Sequence, residues 1–279
     1  MIEAGISTHA FAYNRLDAGI IALIAEAGFD AVELYMHKPH FDFEDSESVR
    51  EVHDALKKYN LKVNSIHCPF YRQIEEAKKG RWLNIASTDE TLRAESVEWI
   101  KKSVATAKTF HFEFAVIHFG DINDKKPADD KLKAACRSIT DIEAYAESYG
   151  VKPVLENIPN EIASCANLKS YLNDNKLTDR IGICFDTGHA AMAGEIPSGL
   201  ELLEGLIRTV HLHDTIEYKD EHLSAGTGIL DWRLILSHLK NSGYSGRLIL
   251  ENKHGGNPKD TIKQAAESAE MLKKLWIDV

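Results

Sequence analysis

Arg208-Thr209-Val210-His211-Leu212-His213-Asp214 alternates apolar and polar side chains and ends in groups suited to bind a cation. Successive side chains of a strand point to opposite sides, so if Val210 and Leu212 pack outward, His211 points inward. Upstream lies a stretch of helical period near Gly199 to Leu206; downstream a long loop leads to another from Trp232 to Ser242. This strand-then-helix unit recurs along the whole chain. Strands are predicted over Ile2 to Ser7, Ala31 to Tyr35, Val63 to His67, Phe114 to Phe119, Lys152 to Asn157, Ile181 to Phe185, Arg208 to His213 and Arg247 to Glu251. The further predicted helices cover Leu16 to Ala27, Ser48 to Tyr59, Thr91 to Thr109, Ala128 to Tyr149, Asn167 to Asn173 and Asp260 to Trp276. Eight such units in series close most naturally into a single-domain (β/α)8 barrel over residues 1–279. An open doubly wound sheet is the alternative, but no G-x-G-x-x-G follows the first strand.

Composition narrows the function classes. The 279 residues are 44% hydrophobic, and no apolar run approaches the roughly 18 residues of a membrane helix. The N-terminal residues do not read as a signal segment. Cys68, Cys136, Cys165 and Cys184 are scattered and form no C-x-x-C pair, which suggests reduced thiols and a cytoplasmic location. A net charge of -10 leans toward a small-molecule substrate and makes nucleic acid the less favoured partner. The most charge-rich stretch, Asp121 to Lys133, mixes Lys125, Lys126, Lys131 and Lys133 with Asp121, Asp124, Asp129 and Asp130, and reads as a solvated barrel edge.

Reactive groups of such barrels lie at the carboxyl ends of the strands. Here those ends carry His67, His118, Glu156, Asp186, His211 and Glu251, each following an outward apolar residue such as Ile66, Ile117, Leu155, Phe185, Val210 or Leu250. A single histidine at a strand end is more often a hydrogen-bonded polar residue than a ligand, and a single glutamate could pair with Lys or Arg. Burying all six unpaired would cost several kcal/mol each, and a divalent metal ion is the simplest compensation. His9 and Glu33 also end strands and are candidates for lining the pocket. His37, His40, His53, His111, His238 and His254 are assigned no role.

At these residues the chain resembles the xylose isomerase-like barrel superfamily, which includes sugar-phosphate isomerase and epimerase-type proteins and endonuclease IV-type apurinic endonucleases. The resemblance rests on Gly28-Phe29-Asp30-Ala31-Val32-Glu33-Leu34, His67-Cys68-Pro69-Phe70, Leu155-Glu156-Asn157, Phe185-Asp186-Thr187-Gly188-His189 and His211-Leu212-His213-Asp214. It continues through Asp220-Glu221-His222, Gly226-Thr227-Gly228-Ile229-Leu230-Asp231-Trp232 and Leu248-Ile249-Leu250-Glu251. It implies that Glu156, Asp186, His211 and Glu251 hold one divalent ion, as in the epimerase-like members. It further implies that His67, His118, His189, Asp220 and His222 could complete a cluster of three zinc ions, as in the endonucleases. Two departures bear on the choice. The arginine that ketose 3-epimerases carry after the strand-seven histidine has no counterpart in Thr215 to Lys219, and the short Glu156-to-Asp186 connection holds few basic residues for gripping DNA.

The leading expectation is a metal-dependent isomerase or epimerase of a sugar or sugar phosphate acting through an enediolate, with Glu156 and Glu251 as base and acid. Asp186 and His211 would anchor the ion, which could be Mn, Zn, Co or Mg, with room for two or three ions. His9, Glu33 and His213 are the expected substrate contacts. The rival expectation is a zinc-dependent hydrolase of phosphodiesters at abasic DNA sites, and a third is a non-catalytic sugar-binding barrel. Assembly of identical chains is left open.

Overall fold

The computed structural model describes residues 2–122 and 129–279. Asp124, Lys125 and Lys126 of the charge-rich stretch lie outside the described residues. The strands are β1 (Ala4–Ser7), β2 (Ala31–Tyr35), β3 (Lys62–His67), β4 (Phe114–His118), β5 (Lys152–Glu156), β6 (Gly182–Asp186), β7 (Ile207–Leu212) and β8 (Leu248–Leu250). They pair in chain order, all parallel, and β8 returns to β1 to close the barrel. The predicted (β/α)8 barrel is therefore the observed fold.

The described helices are α1 (Ala18–Glu26), α2 (Ser46–Tyr59), α3 (Ile74–Ala77), α4 (Glu90–Val104), α5 (Ala107–Phe110), α6 (Asp129–Glu147), α7 (Cys165–Asp174), α8 (Thr187–Met192), α9 (Ser198–Leu202), α10 (Trp232–Asn241) and α11 (Pro258–Asp278). The predicted helix over Thr91 to Thr109 divides into α4 and α5, and that over Gly199 to Leu206 shrinks to α9. Helix α8 was not anticipated. It starts directly at the end of β6, where the Asp186 carboxylate caps it by accepting from His189 N–H at 2.7 Å.

Strand alternation sets the interior. Ala115, Ile117, Leu155, Ile183, Phe185, Val210, Leu212 and Leu250 belong to the large core between the strands and the surrounding helices. Phe114, Val116, Val154 and Cys184 form a separate cluster inside the barrel. Two residues further along β4, β5 and β6, the same inner phase presents His118, Glu156 and Asp186. The register places His118 beside Glu156 and Asp186 beside His211. Burial of each large apolar side chain stabilises the fold by roughly 2 kcal/mol, which helps to offset the cost of holding imidazoles and carboxylates in the interior. Among the described residues, no helix is long and apolar enough to cross a membrane.

One buried histidine lies apart from the strand-end cluster. His40 is 1% exposed, donates Nδ1–H to the Asn14 carbonyl at 2.6 Å, and has no partner for Nε2. Burial depresses its pKa to about 4, against the opposing pull of the Asn14 and Phe11 carbonyls. The unfolded chain therefore binds a proton that the folded chain refuses between about pH 6.5 and 4. Stability is fully present above that window and falls through it as pH drops, by on the order of 3 kcal/mol for this group. Denaturation curves should show His40→Gln losing less stability than the native protein between pH 7 and pH 4. Equal losses would place the acid sensitivity elsewhere.

Candidate metal centre

The strand ends bring the predicted residues into one polar cluster. Single ligand atoms from Glu156, Asp186, His211 and Glu251 lie within 4.8 Å of one another, all from buried residues. His67, His118 and Glu156 form a second such group, and His67, His211 and Glu251 a third. Glu156 is the hub. Its Oε2 lies 3.3 Å from His67 Nε2 and 3.2 Å from His118 Nε2, while Oε1 is 3.3 Å from His189 Nδ1 and 3.4 Å from His211 Nδ1. Glu251 Oε2 approaches His211 Nδ1 at 3.4 Å from the other side.

Asp220 and His222 lie beyond β7, with Asp220 Oδ1 2.9 Å from His222 Nε2 and 3.6 Å from His189 Nε2. His213 also approaches this pair closely enough to share a cation. Its Nε2 faces Asp186 Oδ1 at 3.0 Å and its Nδ1 is buried without a hydrogen-bond partner, so His213 and His189 are alternative third ligands beside this pair.

The tautomers are set by partners outside the cluster. His67, His189 and His222 each direct Nδ1 at a main-chain carbonyl (Cys68, Asn157 and Glu251, at 3.1, 3.1 and 3.0 Å). A carbonyl only accepts, so Nδ1 carries a proton and Nε2 is the nitrogen left facing the site. His211 is arranged the other way round: Nε2 faces Glu33 at 3.0 Å and Nδ1 faces Glu156 and Glu251. A carboxylate behind a histidine in this way orients the ring and raises its basicity as a ligand. Ser65 fixes Glu33 in turn, donating its hydroxyl hydrogen at 2.8 Å. Glu156 Oε2 is buried and accepts no aligned hydrogen bond despite the two imidazole nitrogens nearby. The donor set, its tautomers and this orphaned oxygen all fit a divalent cation.

The electrostatics agree. Burial would raise the Glu156 carboxyl, but the imidazoles of His118 and His211, with His189 close by, hold it well below its ordinary value. Burial would lower the His222 imidazole, yet Asp220, with help from Glu251 and Asp186, raises it to about 9. Carboxylates and imidazoles thus compensate one another, in a cluster that a cation could equally neutralise.

Glu33 and His213, expected among the substrate contacts, sit behind the cluster instead. Both are fully buried and neither lines the cavity above it. Inward strand phase agrees with the position of Glu33, but the register sets it beside Ser65, one inward position before His67, where it meets His211 rather than the cavity. His213 lies just past the end of β7 and stacks on His222 at 4.1 Å. His9 does line the cavity, 4.8 Å ring to ring from His222.

That cavity encloses about 180 Å³. His67, His118, Glu156, His189, Asp220, His222 and Glu251 contribute its polar lining, whereas Asp186 and His211 lie out of reach. Its apolar wall comes from Phe70, Trp82, Leu83, Ile122, Ile158 and Pro159, all on connecting segments that strand periodicity does not address. Asp121 turns into the cavity too, so this part of the charge-rich stretch is no solvated edge. His37, assigned no role, supports the wall: it is stacked on Tyr35 at 3.9 Å, and its Nε2 accepts from Phe70 N–H at 3.0 Å.

The loop bearing Asp220 and His222 is organised by Asp214, which is fully buried. Its carboxylate accepts from the main-chain N–H groups of Thr215, Gly226 and Leu230 and from Trp232 Nε1 at 2.8 Å. Gly228 must remain glycine for this turn, because a Cβ there would overlap Asp214 and the Thr215 carbonyl.

Comparison with known proteins places this architecture. The profile of the xylose isomerase-like TIM barrel family matches residues 21–275. An uncharacterised protein of Methanocaldococcus jannaschii is 31% identical, over 98% of this chain and 89% of its own length. A probable endonuclease 4 of Halothermothrix orenii is 25% identical over 72% of this chain and 76% of its own. A solved structure of a D-tagatose 3-epimerase-like protein superposes with a TM-score of 0.82 at 28% identity, covering 100% of this chain and 98% of that one. The chain belongs to the xylose isomerase-like TIM barrel family.

Proposed function

We propose that the protein is a divalent-metal-dependent isomerase or epimerase of a sugar or sugar derivative. The observation that carries this reading is the division within the ligand set: Glu156 and Glu251 reach the cavity, while Asp186 and His211 are fully buried behind them. Asp186 and His211 are thereby left to anchor, and the two glutamates, arriving from β5 and from the end of β8, are free to move protons. A divalent cation held by the four would supply Lewis acidity, easing removal of a proton from the carbon beside a carbonyl. One glutamate takes that proton as base, and the other delivers one to the carbon or its neighbouring oxygen as acid. His9, His118 and His189 line the same space and offer ring nitrogens to hydroxyl groups. The apolar wall of Phe70, Trp82 and Ile158 suits the C–H face of a sugar and excludes water from the reacting carbon. The D-tagatose 3-epimerase-like structure supports the same reading.

A second reading rests on Glu156 being shared. His67, His118, Glu156, His189, Asp220, His222 and Glu251 line one cavity, with Asp186 and His211 directly behind, a set of nine that suits up to three zinc ions and phosphodiester hydrolysis. The endonuclease 4 relative favours it.

The test is direct. Metal-loaded protein incubated in D2O with a panel of ketoses, aldoses and their phosphates should incorporate deuterium at carbon for at least one of them, and chelation should stop it. Nicking of an abasic duplex should be absent, with Zn²⁺ or Mn²⁺ present. Efficient nicking without exchange on any sugar would reverse the ranking.

A further inference from the structure

A second groove opens beside the cavity, with a volume of about 650 Å³. His222 lines both, so the two spaces adjoin through one imidazole. The groove is built by the segments that follow β7 and β8 and by α11, with Ser224, Lys253, His254, Gln264 and Glu267 among its walls.

Its frame is tied together. Asn252 Nδ2 donates to Ser224 Oγ at 2.9 Å, Lys253 N–H donates to the His222 carbonyl at 2.6 Å, and Ser268 Oγ donates to the Ala225 carbonyl at 2.9 Å. The Tyr13 ring lies tilted against His254 at 4.9 Å, at the rim of the groove.

One wall carries Lys253 and His254 side by side. The Lys253 ammonium has no carboxylate partner among the described residues, although the chain as a whole carries a net charge of -10. His254 Nδ1 is buried without a hydrogen-bond partner. Glu267 is the single carboxylate in the lining, on the α11 side. In (β/α)8 barrels the loops after the seventh and eighth strands frequently form a phosphate site.

We propose that this groove is a subsite for an anionic group, a phosphate ester or a carboxylate, at the end of the substrate remote from the reacting carbon. The inference rests on the sugar isomerase reading for what occupies the main cavity. Lys253 and His254 meet the anion, and the tied loops hold them in place for it. The substrate class is thereby narrowed from sugars at large to sugars carrying a terminal negative charge.

Three probes share one carbon skeleton: fructose, fructose 6-phosphate and fructuronate. Calorimetric titration of metal-loaded protein should show at least one anionic probe binding about tenfold more tightly than fructose. Lys253→Gln should bring that ratio close to one, and Lys253→Arg should preserve it. The side chain is exposed, so neither variant threatens folding. The phosphate and carboxylate arms identify which anion is preferred. The proposal is overturned by equal or weaker binding of both anionic probes, or by a ratio unchanged in Lys253→Gln. A Lys253-dependent ratio without deuterium exchange on any sugar would keep the subsite and remove the isomerase reading.

Discussion

Glu156→Gln is expected to abolish turnover, by about three orders of magnitude, and to strip most of the bound metal from the protein. The carboxylate touches four imidazoles, those of His67, His118, His189 and His211, and belongs to both the Glu156-Asp186-His211-Glu251 and the His67-His118-Glu156 groups. Glutamine keeps the shape and removes the charge, so both groups lose their shared anionic donor at once. Elemental analysis after reconstitution should find more than one equivalent of metal in the native protein and at most one in the variant, held by Asp220 and His222 with a neighbouring histidine. His67→Ala should be milder, costing only the ion beside His118. Native metal content and native rate in Glu156→Gln would refute the shared-ligand arrangement.

Gly188→Ala should be severely damaging despite the small size of the change. A Cβ at this position would lie 2.5 Å from His213 Nδ1, 2.7 Å from Nε2, and closer still to the Cε1 between them. The ring has nowhere to go without leaving Asp186, because it is fully buried, stacked on His222 and hydrogen-bonded to that carboxylate. Overpacking of this kind costs about 3 kcal/mol. The displaced His213 would also release Asp186, and misplacing such a group by about 1 Å can reduce a rate about 100-fold. Thermal unfolding and exchange kinetics would measure the two effects separately. Adding His213→Ala to Gly188→Ala should recover part of the lost stability, since the clash is then gone. Additive losses would show that the glycine matters for another reason.

The strand-end ligands were legible in the sequence because strand periodicity is a local property. Once Val210 and Leu212 are assigned outward, His211 has only one direction left, and the same holds for Glu156 between Leu155 and Asn157. What periodicity does not carry is depth. Glu33 and His211 share the inner phase, but only the pairing of Glu33 with Ser65 reveals that one stands behind the other. His213 was misjudged for a related reason: β7 ends at Leu212, and the next residue turns toward Asp186 instead of continuing the alternation. The apolar wall had no signal at all. Phe70, Trp82 and Ile158 lie in connections whose course is set by tertiary contacts, such as the His37 bond to Phe70 N–H. Helix α8 was equally hidden, because six residues with a glycine in second place have little helical preference of their own.

The seam between β8 and β1 has a bearing on when the protein becomes competent. Leu248 and Leu250 pair with Ala4 and Ile6, residues from opposite ends of the chain, and Glu251 follows directly on this last strand. Such distant pairings form late in folding, because a long stretch of chain must be ordered first. Placement of the fourth ligand is thereby tied to closure of the ring. A cation bound across β5 to β8 would act as a clasp on the closed ring, stabilising it in proportion to the logarithm of free metal over its dissociation constant. Metal supply would then govern how long the barrel stays shut as well as what it can catalyse.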